Sequence, residues 1–454
     1  MEVFLIRALQ LIMALSLLIL IHEFGHFLFA RIFKVRVEKF YLFFDWGLSL
    51  FMIPSKNSNP ADKALIKTRP TKSETEYGLG WIPLGGYCKI SGMIDESMDT
   101  AQMQQPMQPW EFRAKPAWQR LLIMVGGVMF NFLLALFIYS MVLFTWGESY
   151  YDIQKAEYGM EFNDNAERLG FVDGDIILRV DGVNMHRLNA DLLRAIADGS
   201  EVTVLRNGKE ATVAIPDTFG LLHMGNDEPF IDFRVPAVLD SVSPGSTAAL
   251  AGIVKGDRVV DIGGYSVSSW QGLTTALNKM KENNQRDFTV TVCRDTLVTL
   301  NAKADSTFVL GVMPGLPDYT PVTHEYTFFQ AIPAGVVYGC NVLAGYVSDF
   351  KYIFSKEGAK SVGMFGTIGS MFPPVWDWHR FWLMTAMLSL ILAFMNILPI
   401  PALDGGHVLF LIAEVVTGKK PSDKFLENAQ MVGMIMLLGL FVLAFWNDLD
   451  RFVF

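Results

Sequence analysis

Cysteine is nearly missing from this chain. Cys88, Cys293 and Cys340 are the three in 454 residues. None sits in a CxxC pair, so neither a disulfide framework nor a thiolate zinc site is indicated. Charge is scarce too: Asp, Glu, Lys and Arg make up 18% of the residues, against about 25% in ordinary soluble domains. What charge there is leans acidic, with a formal net charge of −9. No basic stripe interleaved with aromatics occurs, which argues against a nucleic-acid partner.

Hydrophobic residues are abundant, at 51%, and they are clustered. Four runs are long and apolar enough to cross a lipid bilayer, which takes about 20 helical residues: Leu5–Ala30, Leu121–Trp146, Phe381–Leu403 and Phe425–Phe445. The first is read as a retained span rather than a leader, because Arg7 is balanced by Glu2 and no small-residue cleavage site follows. Lys and Arg near the spans give the orientation. Arg31, Lys34, Arg36 and Lys39 follow the first span, Arg113, Lys115 and Arg120 precede the second, and Lys419, Lys420 and Lys424 lie between the last two. Those loops are expected on the cytoplasmic side, with both termini and the long segment between spans two and three opposite.

The polar stretches have structure of their own. Lys34–Phe40 alternates like a strand, and Gly80-Trp-Ile-Pro-Leu-Gly-Gly-Tyr-Cys-Lys-Ile90 reads as a second. A β-hairpin dipping toward the bilayer is expected within 34–117, since irregular backbone survives at that depth only where protein or a wet cavity covers it. Further on there is an internal repeat. Ala166, Gly170, Gly174 and Asp175 recur as Ala248, Gly252, Gly256 and Asp257, an offset of 82 residues. Each copy resembles a PDZ domain, so 148–222 and 223–320 are expected to be two PDZ-like α/β domains, which capture peptides by strand addition or act as spacers and size filters. Residues 321–378 are expected to form an amphipathic segment at the membrane interface. The fold class is therefore a polytopic α-helical membrane protein of about four spans: 1–33, 118–147, 379–410 and 425–454, with a cytoplasmic loop at 411–424.

The chemistry is concentrated in His22-Glu23-Phe24-Gly25-His26, an HExxH motif inside the first span. Residues four apart share a helix face, so both imidazoles can reach one metal ion, with Glu23 about 100° around the helix and beside it. Three ionisable groups in an apolar helix are costly unless paired or metal-bound. Zinc needs a third protein ligand and an open position. The best candidate is Asp404 in Asn396-Ile-Leu-Pro-Ile-Pro-Ala-Leu-Asp-Gly-Gly406, where Pro399 and Pro401 break the helix and the glycines permit close backbone approach. The alternative for Asp404 is a helix cap. Asn396 either faces substrate or makes an interhelical hydrogen bond. Asn131, after Gly126-Gly127, poses the same choice, and the structural role is favoured there, with small residues for close packing.

HExxH in the first span, Asn-x-x-Pro-x-Pro-x-Leu-Asp-Gly-Gly in the third, and the PDZ-like tandem between them closely resemble the site-2 protease family. The likeness runs over nearly the whole chain and includes Ile82-Pro-Leu-Gly-Gly-Tyr87. It implies zinc ligation by His22, His26 and Asp404, Glu23 as base, and substrate positioning by Asn396. It implies cleavage of a membrane-spanning anti-sigma factor already trimmed by another protease, with the PDZ-like pair screening out untrimmed substrates. The architecture suggests a bacterial inner membrane. Two departures stand out. Gly126-Gly-Val-Met-Phe-Asn131 lacks the family's Gly-Pro, and the hydrophilic stretch Ser55–Glu76 is long. A catalytically silent PDZ adaptor and a metal transporter are the rival readings.

Overall fold

The computed structural model describes residues 2–56, 74–93, 106–216, 219–220, 229–305, 307–317 and 320–452. Most of the long hydrophilic stretch and the expected boundary at 222/223 lie outside them. The chain forms two compact units: Met1–Gly147 with Glu325–Phe454, and Glu148–His324.

Among the described residues the first unit has six helices of 14 residues or more: α1 (Glu2–Ile32), α2 (Ala117–Trp146), α3 (Phe328–Asp349), α4 (Trp378–Ile397), α5 (Asp404–Thr417) and α6 (Asp423–Phe452). Among the described residues, five helices are long and apolar enough to cross a membrane, one more than expected. The extra one is Phe328–Phe354, which the sequence reading treated as an interfacial segment. Pro333, Gly335, Gly339 and Gly345 dilute its apolar run, yet the glycines are what let it pack. A Cβ on Gly335 would lie 2.4 Å from the Ser140 backbone, and one on Gly339 would lie 2.7 Å from Leu136.

α3 and α4 both run antiparallel to α2. Phe328 packs on Phe144, and Tyr338 on Tyr139 with ring centroids 4.9 Å apart. His379 stacks on Trp146, while Ser389 donates to the Asn131 carbonyl at 2.7 Å. Two successive parallel helices require the chain to return between them. Residues 350–377 make that return, from Phe350 against Phe394 to Phe372 against Phe381.

The expected third span is shorter than its apolar run. α4 stops at Ile397, and residues 398–403 bend past Pro399 and Pro401 with Ala402 at φ +78°. α5 then carries the chain to Thr417, well into the expected loop 411–424, and ends on Gly418 in the left-handed region. Arg120 of α2 pairs with Glu414 of α5.

The expected hairpin is more elaborate than two strands. β1 (Val37–Ile53) and β2 (Glu76–Ile90) pair antiparallel through Phe40↔Cys88, Tyr41↔Tyr87 and Leu42↔Gly86. β1 folds back near Phe43 (φ +69°), and its second half pairs Met52↔Gly78 and Ile53↔Tyr77. Because Phe40 and Tyr41 also neighbour Tyr77 and Gly78, the sheet is four ribbons wide. Ala30, Val37, Ile90, Ile123 and Val408 share one apolar core, which fixes this sheet beside α1, α2 and α5.

The second unit holds the repeat. Each copy has a short helix capped by a side chain and stopped by glycine. Asn163 caps Asp164–Leu169 before Gly170 (φ +102°), and Ser246 caps Thr247–Ala251 before Gly252 (φ +83°). Each has a four-stranded antiparallel sheet of the same order and a second capped helix, Ala190–Asp198 or Trp270–Glu282. Ala166 and Ala248 are both fully buried, at the same place in separate cores. Asp175 receives Arg206, and Asp257 receives Arg294. The unit's ends are joined as strands, Glu148–Tyr150 against Val322–His324.

Candidate metal centre

His22 and His26 lie one turn apart on α1 and are 9% and 7% exposed. The bend after α4 brings Asp404, the first residue of α5, to face them. His22 Nε2 and His26 Nε2 stand 3.1 and 3.3 Å from Asp404 Oδ2, and 3.3 Å from each other. Among the described residues this is the group of His, Cys and carboxylate side chains that converges in this way.

Those distances fit one tetrahedral ion: ligand atoms about 2.0–2.1 Å from zinc stand about 3.3–3.4 Å apart. Asp404 Oδ2 is buried without a hydrogen-bond partner. Lone pairs of three ligand atoms pointing at one volume repel unless a proton or a metal ion lies between them, and two imidazole nitrogens with one carboxylate oxygen are a donor set that suits a divalent metal.

The backbone makes the convergence possible. A Cβ on Gly25 would fall 2.3 Å from the Gly126 carbonyl oxygen, so only glycine lets α1 and α2 touch there. One on Gly127 would fall 2.4 Å from His26 Nε2 and 2.7 Å from His22 Cε1. Gly405 and Gly406 are equally constrained, by the Leu398 carbonyl at 2.1 Å and Pro401 Cα at 2.6 Å. Glycine in α5 therefore permits the tight return that aims Asp404.

The other expected residues are also here. Glu23 follows His22 on α1, and its carboxylate accepts a hydrogen bond from the Cys88 backbone N–H of β2. Asn396 places its amide 3.5 Å from His22 Nε2, on the side where the ligand atoms converge. Three contacts were not anticipated. The Ile123 carbonyl lies 2.9 Å from His26 Nδ1, the Asn131 amide lies 3.3 Å from His22 Nδ1, and Cys88 meets Glu23. Asn131 carried a sequence signal, a buried amide in an apolar helix. The two backbone groups carried none.

A helical membrane unit with two histidines and a carboxylate gathered around one point defines a membrane-embedded metallopeptidase of the HExxH kind. Residues 10–58 and 61–440 match the model of peptidase family M50. The chain belongs to that family, the site-2 proteases, and is a zinc metalloprotease. It is 27% identical to the regulator of sigma-E protease RseP of Escherichia coli K12, over 97% of both chains. It is 28% identical to the protease RseP of Yersinia pestis over 97% of both, and 26% identical to a putative zinc metalloprotease of Ralstonia nicotianae over 98% of both.

Proposed function

We propose that the protein holds zinc through His22 Nε2, His26 Nε2 and Asp404 Oδ2 and hydrolyses a peptide bond in or beside the transmembrane segment of a partner protein. The carrying observation is that these three atoms stand at the edge lengths of a zinc tetrahedron inside apolar helices. Zinc supplies Lewis acidity and a water acidic enough to attack near neutral pH. Glu23, one residue from His22, takes a proton from the attacking water and delivers it to the leaving amine. Asn396 donates its amide hydrogens to the oxygen of the scissile carbonyl, where negative charge develops.

The substrate helix must unwind to expose its amide. An extended segment pairing with the β1–β2 sheet would keep it open, and Cys88 links that sheet to the base. The substrate is a single-span anti-sigma factor, already shortened. The resemblance to regulators of sigma-E protease supports this choice. The two repeats act as PDZ-like domains that reject untrimmed chains. The Lys and Arg distribution supports a bacterial inner-membrane placement with the repeats periplasmic and the metal centre opening toward the cytoplasm.

The test compares wild type with Glu23→Gln in membranes containing a tagged single-span substrate that lacks its outer domain. A chelator-sensitive product from wild type alone, with zinc content equal in both, is the expected result. Cleavage by Glu23→Gln would overturn the role of Glu23. Peptide binding without cleavage by zinc-loaded wild type would favour a PDZ adaptor.

A further inference from the structure

The two ligand histidines need their ring hydrogens in the right place. A neutral imidazole can offer Nε2 to a metal only if its hydrogen sits on Nδ1. His26 meets this through α2: its Nδ1 faces the Ile123 carbonyl at 2.9 Å, a group that only accepts. His22 Nδ1 faces the Asn131 side chain at 3.3 Å. Asn131 is completely buried, and Ser389 of α4 holds its backbone carbonyl. Its Nδ2 is turned toward the ring, while Oδ1 is buried with no hydrogen-bond partner. A half-turn of the amide exchanges the two ends.

Resting on the zinc reading above, we propose that Asn131 is a positioning residue for the metal centre: its Oδ1 accepts the His22 Nδ1–H and so keeps Nε2 free for zinc. The opposite orientation, Nδ2 donating to Nδ1, puts the hydrogen on Nε2, where it points at Asp404 3.1 Å away. That form is paired but cannot ligate. Asn131 thus serves both forms of the ring, and zinc selects the one in which the orphaned oxygen gains its partner. A purely interhelical amide would leave no reason for one end to face a ligand ring and the other to face nothing. α2 then provides the supporting acceptor for both histidines, four residues on either side of Gly127.

The test uses the full-length protein in detergent, measuring how zinc partitions between the protein and a chromogenic chelator. Asn131→Leu keeps the branched shape and removes the acceptor. It is expected to weaken zinc binding about 10–100-fold, the usual cost of losing such an outer partner. Asn131→Asp keeps an acceptor and is expected to hold zinc at least as tightly as wild type. Thermal unfolding and gel-filtration profiles check each fold, and Asn131→Ala replaces the Leu variant if that one does not fold. Wild-type zinc binding by the Leu or Ala variant would overturn the proposal. Equal loss in folded Asp and Leu variants would also overturn it, because it would make packing the only role. His22→Ala and His26→Ala separate the two readings: if they keep their zinc, the ligand assignment itself fails.

Discussion

At the scale of single residues, the centre depends on what its glycines lack as much as on what three side chains supply. Gly127 has no room for a methyl group, because a Cβ would meet His26 Nε2 at 2.4 Å. Gly127→Ala is therefore expected to displace an imidazole, to cost about 1–3 kcal/mol in overpacking and to yield zinc-poor protein on metal analysis. Gly439 on α6 has nothing within 4 Å. Gly439→Ala is the matched control, expected to keep full zinc content and to melt no lower than wild type, since Ala is the better helix former by about 1 kcal/mol. His22, Glu23, His26 and Asp404 were legible in the sequence because charge in an apolar run is conspicuous and the HExxH spacing is specific. Asn131 was singled out in the sequence, but its contact with His22 was not legible there. A buried amide looks the same in sequence whether it joins two helices or orients a ligand.

At the scale of elements, apolar runs located the helices but not their ends. The run Phe381–Leu403 continues through a bend where the two prolines stop α4, because apolar composition does not record a missing backbone donor. α3 was not singled out as a long apolar helix for the opposite reason: its glycines lower apolarity while creating a contact surface. Replacing Gly335 by Leu should force α3 off α2 at Ser140. A lowered melting temperature in detergent, together with faster proteolysis within 350–377, would register this. An unchanged melt would mean that α3 contributes little to the bundle. The return through 350–377 also reconciles an extra apolar helix with the Lys and Arg distribution, since α3 and its return together leave later elements on the side they would otherwise occupy. The sheet's pattern was readable as strands, but the fold-back at Phe43 was not. A Phe at φ +69° is held there by the tertiary surroundings and has no local sequence signal. Proline substitutions along Ile82–Ile90 remove ladder donors and should slow cleavage if this sheet presents substrate. Turnover at the wild-type rate would argue against strand pairing.

At the scale of the whole molecule, the repeat was legible almost residue by residue, because Gly170 and Gly252 stop helices in a conformation that glycine adopts cheaply. The matching ion pairs were not. Arg206 and Arg294 fall outside the repeated motif, yet each reaches its buried aspartate. Burial pushes the Asp257 carboxyl up, but Arg294 at 2.5 and 2.9 Å and the Val254 N–H outweigh it and hold it below the usual carboxylate range. A lowered folded-state value means that the stabilisation is complete above the ordinary aspartate value of about 3.9 and is lost as pH falls through the lower one. Hydrogen exchange in Asp287–Lys303, corrected for intrinsic rates, should accelerate in wild type below about pH 4. In Asp257→Asn it should be faster already at neutral pH and lack that acid limb.

The strand pair at the ends of the repeat unit has a consequence for how such a protein can change. Tyr150 and Val322 sit directly opposite each other, the spacing that a two-residue Asn-Gly turn closes. Everything between them is a detachable cassette with one doorway. A chain carrying that turn in place of residues 151–321 should keep its zinc and, if the repeats exclude untrimmed substrates, should cut those as well. Loss of zinc would show that the metal centre needs the cassette to assemble. With entrance and exit side by side, the segment between them can change in length without moving the two strand ends that the rest of the chain is joined to.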